Sequence, residues 1–267
     1  MAKLSFAVIG NPIEHSMSPE IHSFFASQFN FKNYSYSKIL SSEIDLKKTV
    51  DNFFVDGGTG INVTVPFKVS AYDFCDLLDD TANQCGSVNT LKNESNNIKG
   101  YNTDGLGFID DITKKDINFN DSKVLILGAG GSAMSIASSL LRKSKGSKIS
   151  VLNRTISKAD KMVEFFKNNI EVHKKGSVYD LVINTTPISM SKEKISFPHN
   201  FLKPTTICYD LFYSKQQTSF QEWSLNHGIE NCYDGLGMLI EQAKHSFTIW
   251  NGEIPDVNGL ESKLRLS

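Results

Sequence analysis

The chain has 267 residues, more than the roughly 100 to 200 of an ordinary single domain, so one large domain or two smaller ones are expected. Its 28 lysines and arginines against 29 aspartates and glutamates leave a formal net charge of -1, which excludes a global field that recruits nucleic acid or an anionic membrane surface. An anionic ligand has to be met by a local site.

From the start, the apolar run Phe6–Ile9 ends at Gly10-Asn11-Pro12, and Ile21, Phe24, Phe25 and Phe29 then recur at helical spacing, which reads as strand, loop, helix. Alternation over Tyr34–Leu40 predicts a second strand, and Ile44, Val50, Phe53 and Phe54 mark an amphipathic helix after it. Ile61–Val65 reads as a strand, a helix is expected from about Pro66, and Ser87–Leu91 and Ile98–Tyr101 read as two short strands. Strands alternating with helices predict an α/β fold with a mostly parallel sheet.

Near Asp104 the texture changes. A helix to about residue 115 and the polar Asn118–Ser122 lead into Lys123–Leu127, a buried-strand pattern running straight into Gly128-Ala129-Gly130-Gly131. A helix follows, then the strand Lys148–Asn153, a helix from Ser157, and the strands Leu181–Asn184 and Thr206–Leu211. That is a doubly wound, Rossmann-like nucleotide-binding pattern. The helix Leu236–Trp250 and the tail after it could complete either domain.

Cys75, Cys85, Cys208 and Cys232 form no CxxC pair and have no histidine at zinc-ligand spacing, so no metal is expected and the thiols read as reduced. The segment Met1–Gly10 is too short an apolar stretch for a signal peptide, and no apolar run approaches the about 18 residues of a membrane helix. A soluble cytoplasmic protein is the expectation.

In a strand–turn–helix context, glycines let the backbone pass close to a pyrophosphate while the amides of the helix N-terminus bond its oxygens. Gly128, Gly130 and Gly131 supply such a turn, with Ala133 as the third small residue rather than the glycine of GxGxxG. A tight connection without a ligand would use the same residues. The next strand selects the cofactor: it ends in Asn153-Arg154-Thr155, with no carboxylate for a ribose 2′-hydroxyl. A guanidinium there pairs with a 2′-phosphate bidentately, so NADP is expected in preference to NAD.

Two segments of the first half carry more polar residues than strand ends need. One is Gly10–Pro19, and the other is Gly60–Lys68, where alternation puts Asn62 and Thr64 on one face and Lys68 in the first turn of the following helix. A cation there opposes the helix dipole, which argues for a functional use. Asp104, in Tyr101–Gly107, offers the complementary carboxylate, although a helix N-cap would equally explain it. Ser87–Thr90 and Asp234–Gln242 are candidate polyol contacts, and Tyr213 follows a strand end, where parallel sheets face their ligands.

The ordered set GNPIEHSMSPEIH, GINVTVPFK, GSVNTL, GYNTDGLGF, GAGGSA, NRT, DLFYSKQQT and DGLGMLIEQA resembles the shikimate dehydrogenase family over nearly the whole chain. The resemblance implies an α/β substrate-binding domain (1–103 and 236–267), an inserted Rossmann-like NADP domain (104–235) and an active site in the crevice between them. It also implies reversible NADPH-dependent reduction of 3-dehydroshikimate to shikimate in aromatic amino acid biosynthesis. Carried over by position, it gives Lys68 and Asp104 as the catalytic pair. Ser16, Ser18, Asn62, Thr64, Asn89, Tyr213 and Gln242 become shikimate contacts. Gly128, Gly130, Gly131, Asn153, Arg154 and Thr155 become the NADP site, with Gly235 near the nicotinamide.

Two positions depart from the family pattern: Met17 stands where many members have a basic residue, and Ser189 where a glycine is common. The latter is expected to alter backbone geometry near the nicotinamide. Whether Lys68 moves a proton or acts through charge and hydrogen bonding is open at this level, as is the choice between a monomer and a homodimer. The rival readings are a quinate/shikimate dehydrogenase with relaxed cofactor use, against which Arg154 speaks, and a silent NADP-binding sensor, against which Lys68 and Asp104 speak.

Overall fold

A computed structural model describes residues 4–190, 195 and 197–266. The chain folds into two compact units, one of Met1–Gly107 with Ile240–Leu264, the other of Phe108–Leu239 with Arg265–Ser267. The outermost residues of the division expected from sequence, 1–3 and 267, lie outside the described residues.

The first unit opens with β1 (Leu4–Gly10), α1 (Ser18–Ser27), β2 (Tyr34–Leu40), α2 (Leu46–Val55), β3 (Gly60–Val63) and α3 (Lys68–Phe74). Next come β4 (Leu77–Leu78), α4 (Asp80–Cys85), β5 (Thr90–Glu94), β6 (Asn97–Tyr101) and the first turn of α5 (Asp104–Lys114). The sheet order is β2-β1-β3-β5-β6-β4. Only β5 runs against its neighbours, pairing antiparallel with β3 and β6. A two-residue turn explains it: Ser95 and Asn96 both have positive φ, 54° and 66°, the conformation that closes a tight hairpin.

Both faces of this sheet are covered, so β1 is buried on alternating sides. Ile9, Ile61, Val63 and Leu91 pack against Leu46, Val50 and Phe54 of α2 and Phe67 and Ala71 around α3. On the opposite face Phe6 meets Trp250 at 4.9 Å between ring centroids, and His22 of α1 stacks on Tyr36 at 4.4 Å. Burial pushes the His22 pKa down to about 3, so this histidine is a neutral member of an aromatic cluster.

The second unit continues α5 and adds β7 (Lys123–Leu127), α6 (Gly131–Lys143), β8 (Lys148–Leu152), α7 (Ile156–Phe165), β9 (Glu171–Val172) and β10 (Leu181–Asn184). A 3-10 turn (Pro187–Met190), β11 (Ile207–Asp210), α8 (Ser219–Asn226), β12 (Cys232–Tyr233) and the start of α9 (Leu236–Asn251) follow. A short α10 (Leu260–Leu266) ends the described chain. The order β12-β11-β10-β7-β8-β9, all pairs parallel, is the doubly wound arrangement with its reversal between β7 and β10. Strand alternation divides the core: Val124, Ile126, Ile149, Val151 and Ile183 face one layer, and Leu125, Leu127, Val182 and Cys208 the other.

The α/β class, the two mostly parallel sheets and the Rossmann-like second unit agree with the sequence reading. Several elements differ in extent. The helix expected from Pro66 starts at Lys68, and Ser87–Asn89 is a connection rather than strand, leaving β5 to begin at Thr90. Ile44 precedes α2 and is 93 % exposed, so it is no part of that helix's apolar face. No helix among the described residues is long and apolar enough to cross a membrane.

Candidate active site

Lys68 is the first residue of α3, and Asp104 the first of α5. Their side chains meet with Nζ 2.6 Å from Oδ2, only 12 % and 5 % exposed. An ammonium at a helix N-terminus is disfavoured and a carboxylate favoured, so Asp104 supplies the stabilisation that Lys68's own helix withholds. The other oxygen of Asp104 accepts from Asn89 Nδ2 at 2.8 Å. Both oxygens are therefore held by side chains from outside α5, and the backbone N–H of Asp104 donates to Asn102 Oδ1 at 3.1 Å. The carboxylate is a partner for Lys68 rather than the cap of its own helix.

Asn89 is the hub of a buried network. Its Nδ2 also donates to Thr103 Oγ1 (2.8 Å) and Gln242 Oε1 (3.2 Å), while its Oδ1 accepts from the Thr103 N–H and the Thr90 hydroxyl, both at 2.9 Å. Asn62 Nδ2 reaches the Asn89 carbonyl, Thr90 Oγ1 and Ser246 Oγ at 3.2, 3.1 and 3.1 Å. Asn62 Oδ1 accepts from Tyr36 Oη at 2.7 Å. Tyr36 links onward, with the Ser18 hydroxyl beside a phenol whose pKa burial raises well above the usual value. Ser16 Oγ donates to Ser18 Oγ at 3.2 Å. Thr64 follows β3 and its N–H pairs with the Ile9 carbonyl at 2.9 Å.

The first unit thus joins Lys68, Asp104, Asn89, Gln242, Asn62 and Ser18 through hydrogen bonds, with Ser16 attached to Ser18. Of the residues expected to touch substrate, only Tyr213 belongs to the second unit, on the loop after β11. Thr103, Ser246 and Tyr36 are equally part of the network and are not singled out in the sequence, while Thr90 enters there only as the end of the segment Ser87–Thr90. Thr90 and Thr103 fall inside motif segments, but Ser246 carries no signal beyond its place one helical turn after Gln242. Met17, at the N-cap of α1, makes no capping bond with its side chain.

In the second unit, the glycine turn joins β7 to α6 at the reversal of strand order. Gly128 has φ +109°, and a Cβ there would lie 2.5 Å from Thr185 Oγ1, so both conformation and space demand glycine. Gly130, the N-cap of α6, has nothing within 4 Å of a Cβ position, leaving room above the turn for a phosphate to approach the backbone. Gly128 N–H donates to the Leu152 carbonyl at 2.8 Å, which sets the end of β8 beside the turn. There Asn153 Nδ2 closes onto the Thr155 carbonyl at 2.9 Å, and Arg154 and Thr155 are exposed. Gly235 follows β12, where a Cβ would lie 2.3 Å from the Leu211 carbonyl oxygen.

Ser189 does not distort the backbone by a left-handed φ, since it is absent from the positive-φ residues. Its hydroxyl instead donates to Asp210 Oδ2 at 2.6 Å. The donor set fits a dinucleotide: a glycine turn at the strand-order reversal, a 13-residue helix behind it, and an exposed arginine at the next strand end.

Three family models match the chain: the shikimate dehydrogenase substrate binding domain over residues 8–91, shikimate / quinate 5-dehydrogenase over 111–190, and the shikimate 5′-dehydrogenase C-terminal domain over 235–265. Among solved structures, shikimate dehydrogenase from Aquifex aeolicus is 29 % identical with a TM-score of 0.87, covering 99 % of this chain and 97 % of that one. An Ael1 enzyme from Pseudomonas putida is 31 % identical with a TM-score of 0.85, covering 98 % of each chain. The shikimate 5-dehydrogenase of Thermus thermophilus, solved in complex with NADP(H) and shikimate, is 28 % identical with a TM-score of 0.87, covering 98 % of this chain and 99 % of that one. With matches along its length and a nearly buried lysine–aspartate pair in the first unit, the chain belongs to the shikimate dehydrogenase family of oxidoreductases.

Proposed function

We propose that the protein catalyses the reversible NADPH-dependent reduction of 3-dehydroshikimate to shikimate, a step of aromatic amino acid biosynthesis, in the cytoplasm. The first unit binds the substrate and the second the cofactor. The observation that carries this reading is the Lys68–Asp104 pair, nearly buried and fixed at its far side by Asn89.

The reduced nicotinamide, when bound, supplies the hydride. Lys68 delivers a proton to the oxygen on C3 as that carbon is reduced and takes it back when shikimate is oxidised; its charge stabilises the developing alkoxide in either direction. Asp104 holds the ammonium and accepts from a substrate hydroxyl. Asn89 and Gln242 bond the ring hydroxyls with Asn62 and Thr64, while Ser16, Ser18 and Tyr213 donate to the carboxylate. Gly128, Gly130 and Gly131 let the pyrophosphate meet the backbone at the start of α6. Arg154, with Asn153 and Thr155, takes the 2′-phosphate, and Gly235 approaches the nicotinamide. Sedimentation separates a monomer from the homodimer that this reading also accommodates.

The test offers purified protein shikimate or quinate, each with NADP or NAD, and follows absorbance of the reduced nicotinamide. Reduction of NADP with shikimate, well ahead of the other three combinations, is the expected result. Equal use of quinate or NAD would move the protein to a relaxed-specificity dehydrogenase, and binding without turnover would make it a sensor.

A further inference from the structure

The second unit buries a carboxylate that the reaction does not use. Asp210 ends β11, is 0 % exposed, and stands in register with Asn184 at the end of β10. Its Oδ1 accepts from Asn184 Nδ2 at 2.9 Å and from the Phe212 N–H at 3.2 Å. Its Oδ2 accepts from the hydroxyls of Ser189 and Thr218, both at 2.6 Å. These four donors are all neutral and fill the acceptor sites of one carboxylate. Burial raises the carboxyl's pKa, with the hydrogen bonds opposing it.

A buried carboxylate satisfied in this way is no better for stability than a well-packed apolar group, because desolvation offsets what the hydrogen bonds return. What it gives is position. Thr186 bonds Asn184 Oδ1 through both its N–H (3.1 Å) and its hydroxyl (2.7 Å). Ser189 also accepts from the Phe220 N–H at 3.3 Å, and Thr218 caps α8 in a capping box with Gln221. One carboxylate therefore ties together the turn after β10, the loop after β11 that carries Tyr213, and the start of α8. The turn after β10 also walls the glycine turn, since Thr185 and Thr186 supply the atoms nearest a Cβ at Gly128.

We infer that Asp210, with Ser189 as one of its donors, is a positioning residue that sets the segments 185–190 and 211–218 at the carboxyl ends of β10 and β11 for hydride transfer. The inference rests on the NADP and shikimate reading above. In that fold these strand ends face the cofactor, and misplacement of a reacting group by about 1 Å costs on the order of 100-fold in rate. Ser189 adds a fourth donor at a position where a glycine could offer none.

The experiment compares wild type, Asp210→Asn and Ser189→Ala for kcat and shikimate KM with NADP, and for the Kd of adenosine 2′,5′-bisphosphate, a probe of the adenosine end that carries no nicotinamide, by calorimetry. Asp210→Asn keeps the shape but sets an amide donor against the Ser189 and Thr218 hydroxyls, so the two bonds they donate are lost. It is expected to lose about 10- to 100-fold in kcat, and Ser189→Ala a smaller amount, while bisphosphate binding stays within about twofold, because the misplacement falls on the reacting end. Wild-type kcat in both variants would overturn the inference, and so would loss of bisphosphate binding in step with kcat, which is the mark of general disruption. Should wild type bind bisphosphate yet never turn over shikimate, the function reading fails instead, and the ratio of NADP to bisphosphate affinity in the variants still reads the positional claim: a change supports it, and no change overturns it.

Discussion

Replacing Lys68 with methionine is expected to lower kcat for shikimate oxidation by about 10² to 10⁴, the usual cost of losing a positioned acid–base group. Methionine preserves the apolar stem but leaves Asp104, 5 % exposed in its side chain, without its ammonium. The uncompensated carboxylate will cost stability, so thermal unfolding is measured in parallel and kcat is read well below the transition. The KM for shikimate should change far less than kcat, because Ser16, Ser18, Asn89 and Gln242 remain. Asp104→Asn in the same background should add little, since residues acting as one unit are not additive. A Lys68→Met enzyme with near-normal turnover would remove Lys68 from the chemistry.

The second large effect is at Arg154. Alanine there is expected to raise the KM for NADP by about 10- to 150-fold, the equivalent of about 1.5–3 kcal/mol for a hydrogen bond to a charged group. The KM for NAD should move by less than about threefold, because NAD carries no 2′-phosphate for the charge-assisted pair. The segment Asn153-Arg154-Thr155-Ile156-Ser157-Lys158 holds no carboxylate, and Leu152 at the end of β8 pairs in register with Leu127 just before the glycine turn. Arg154 is exposed, so the wild-type KM for NADP should also rise with salt. Equal NADP affinity in Arg154→Ala would mean the 2′-phosphate is read elsewhere.

The sequence made the second unit legible because each of its parts carries a strong local signal. Lys123–Leu127 is a continuous apolar run, a glycine turn follows it at once, and the helix behind has its own period. The first unit is harder to read. Ser87–Leu91 looks like a strand by composition, yet Ser87–Asn89 is drawn out of the sheet to place Asn89 against Thr103 and Asp104, 14 and 15 residues on. The strands β4, β9 and β12 have two residues each, too few for any period.

The candidate site divides in the same way. Lys68 and Asp104 lie at strand-to-helix junctions inside dense polar motifs and could be found there. Ser246 touches Thr90 from 156 residues away at 2.8 Å, and before that contact exists it is one more polar residue on a helix. Asp210 sits within a recognisable motif, but its use depends on donors from three segments that meet only after the sheet forms. Ser189 was legible as a departure in residue type. What it does, donating to Asp210 without backbone strain, belongs to tertiary structure.

The central claim is transfer of hydride between the nicotinamide and the carbon bearing the substrate's oxygen. It is tested most directly by reacting 3-dehydroshikimate with NADPH deuterated at both C4 positions and analysing the product by mass spectrometry and NMR. Shikimate heavier by one deuterium, located on C3, is expected from wild type and only slowly from Lys68→Met. Shikimate carrying no deuterium at C3, or no shikimate at all, would contradict it.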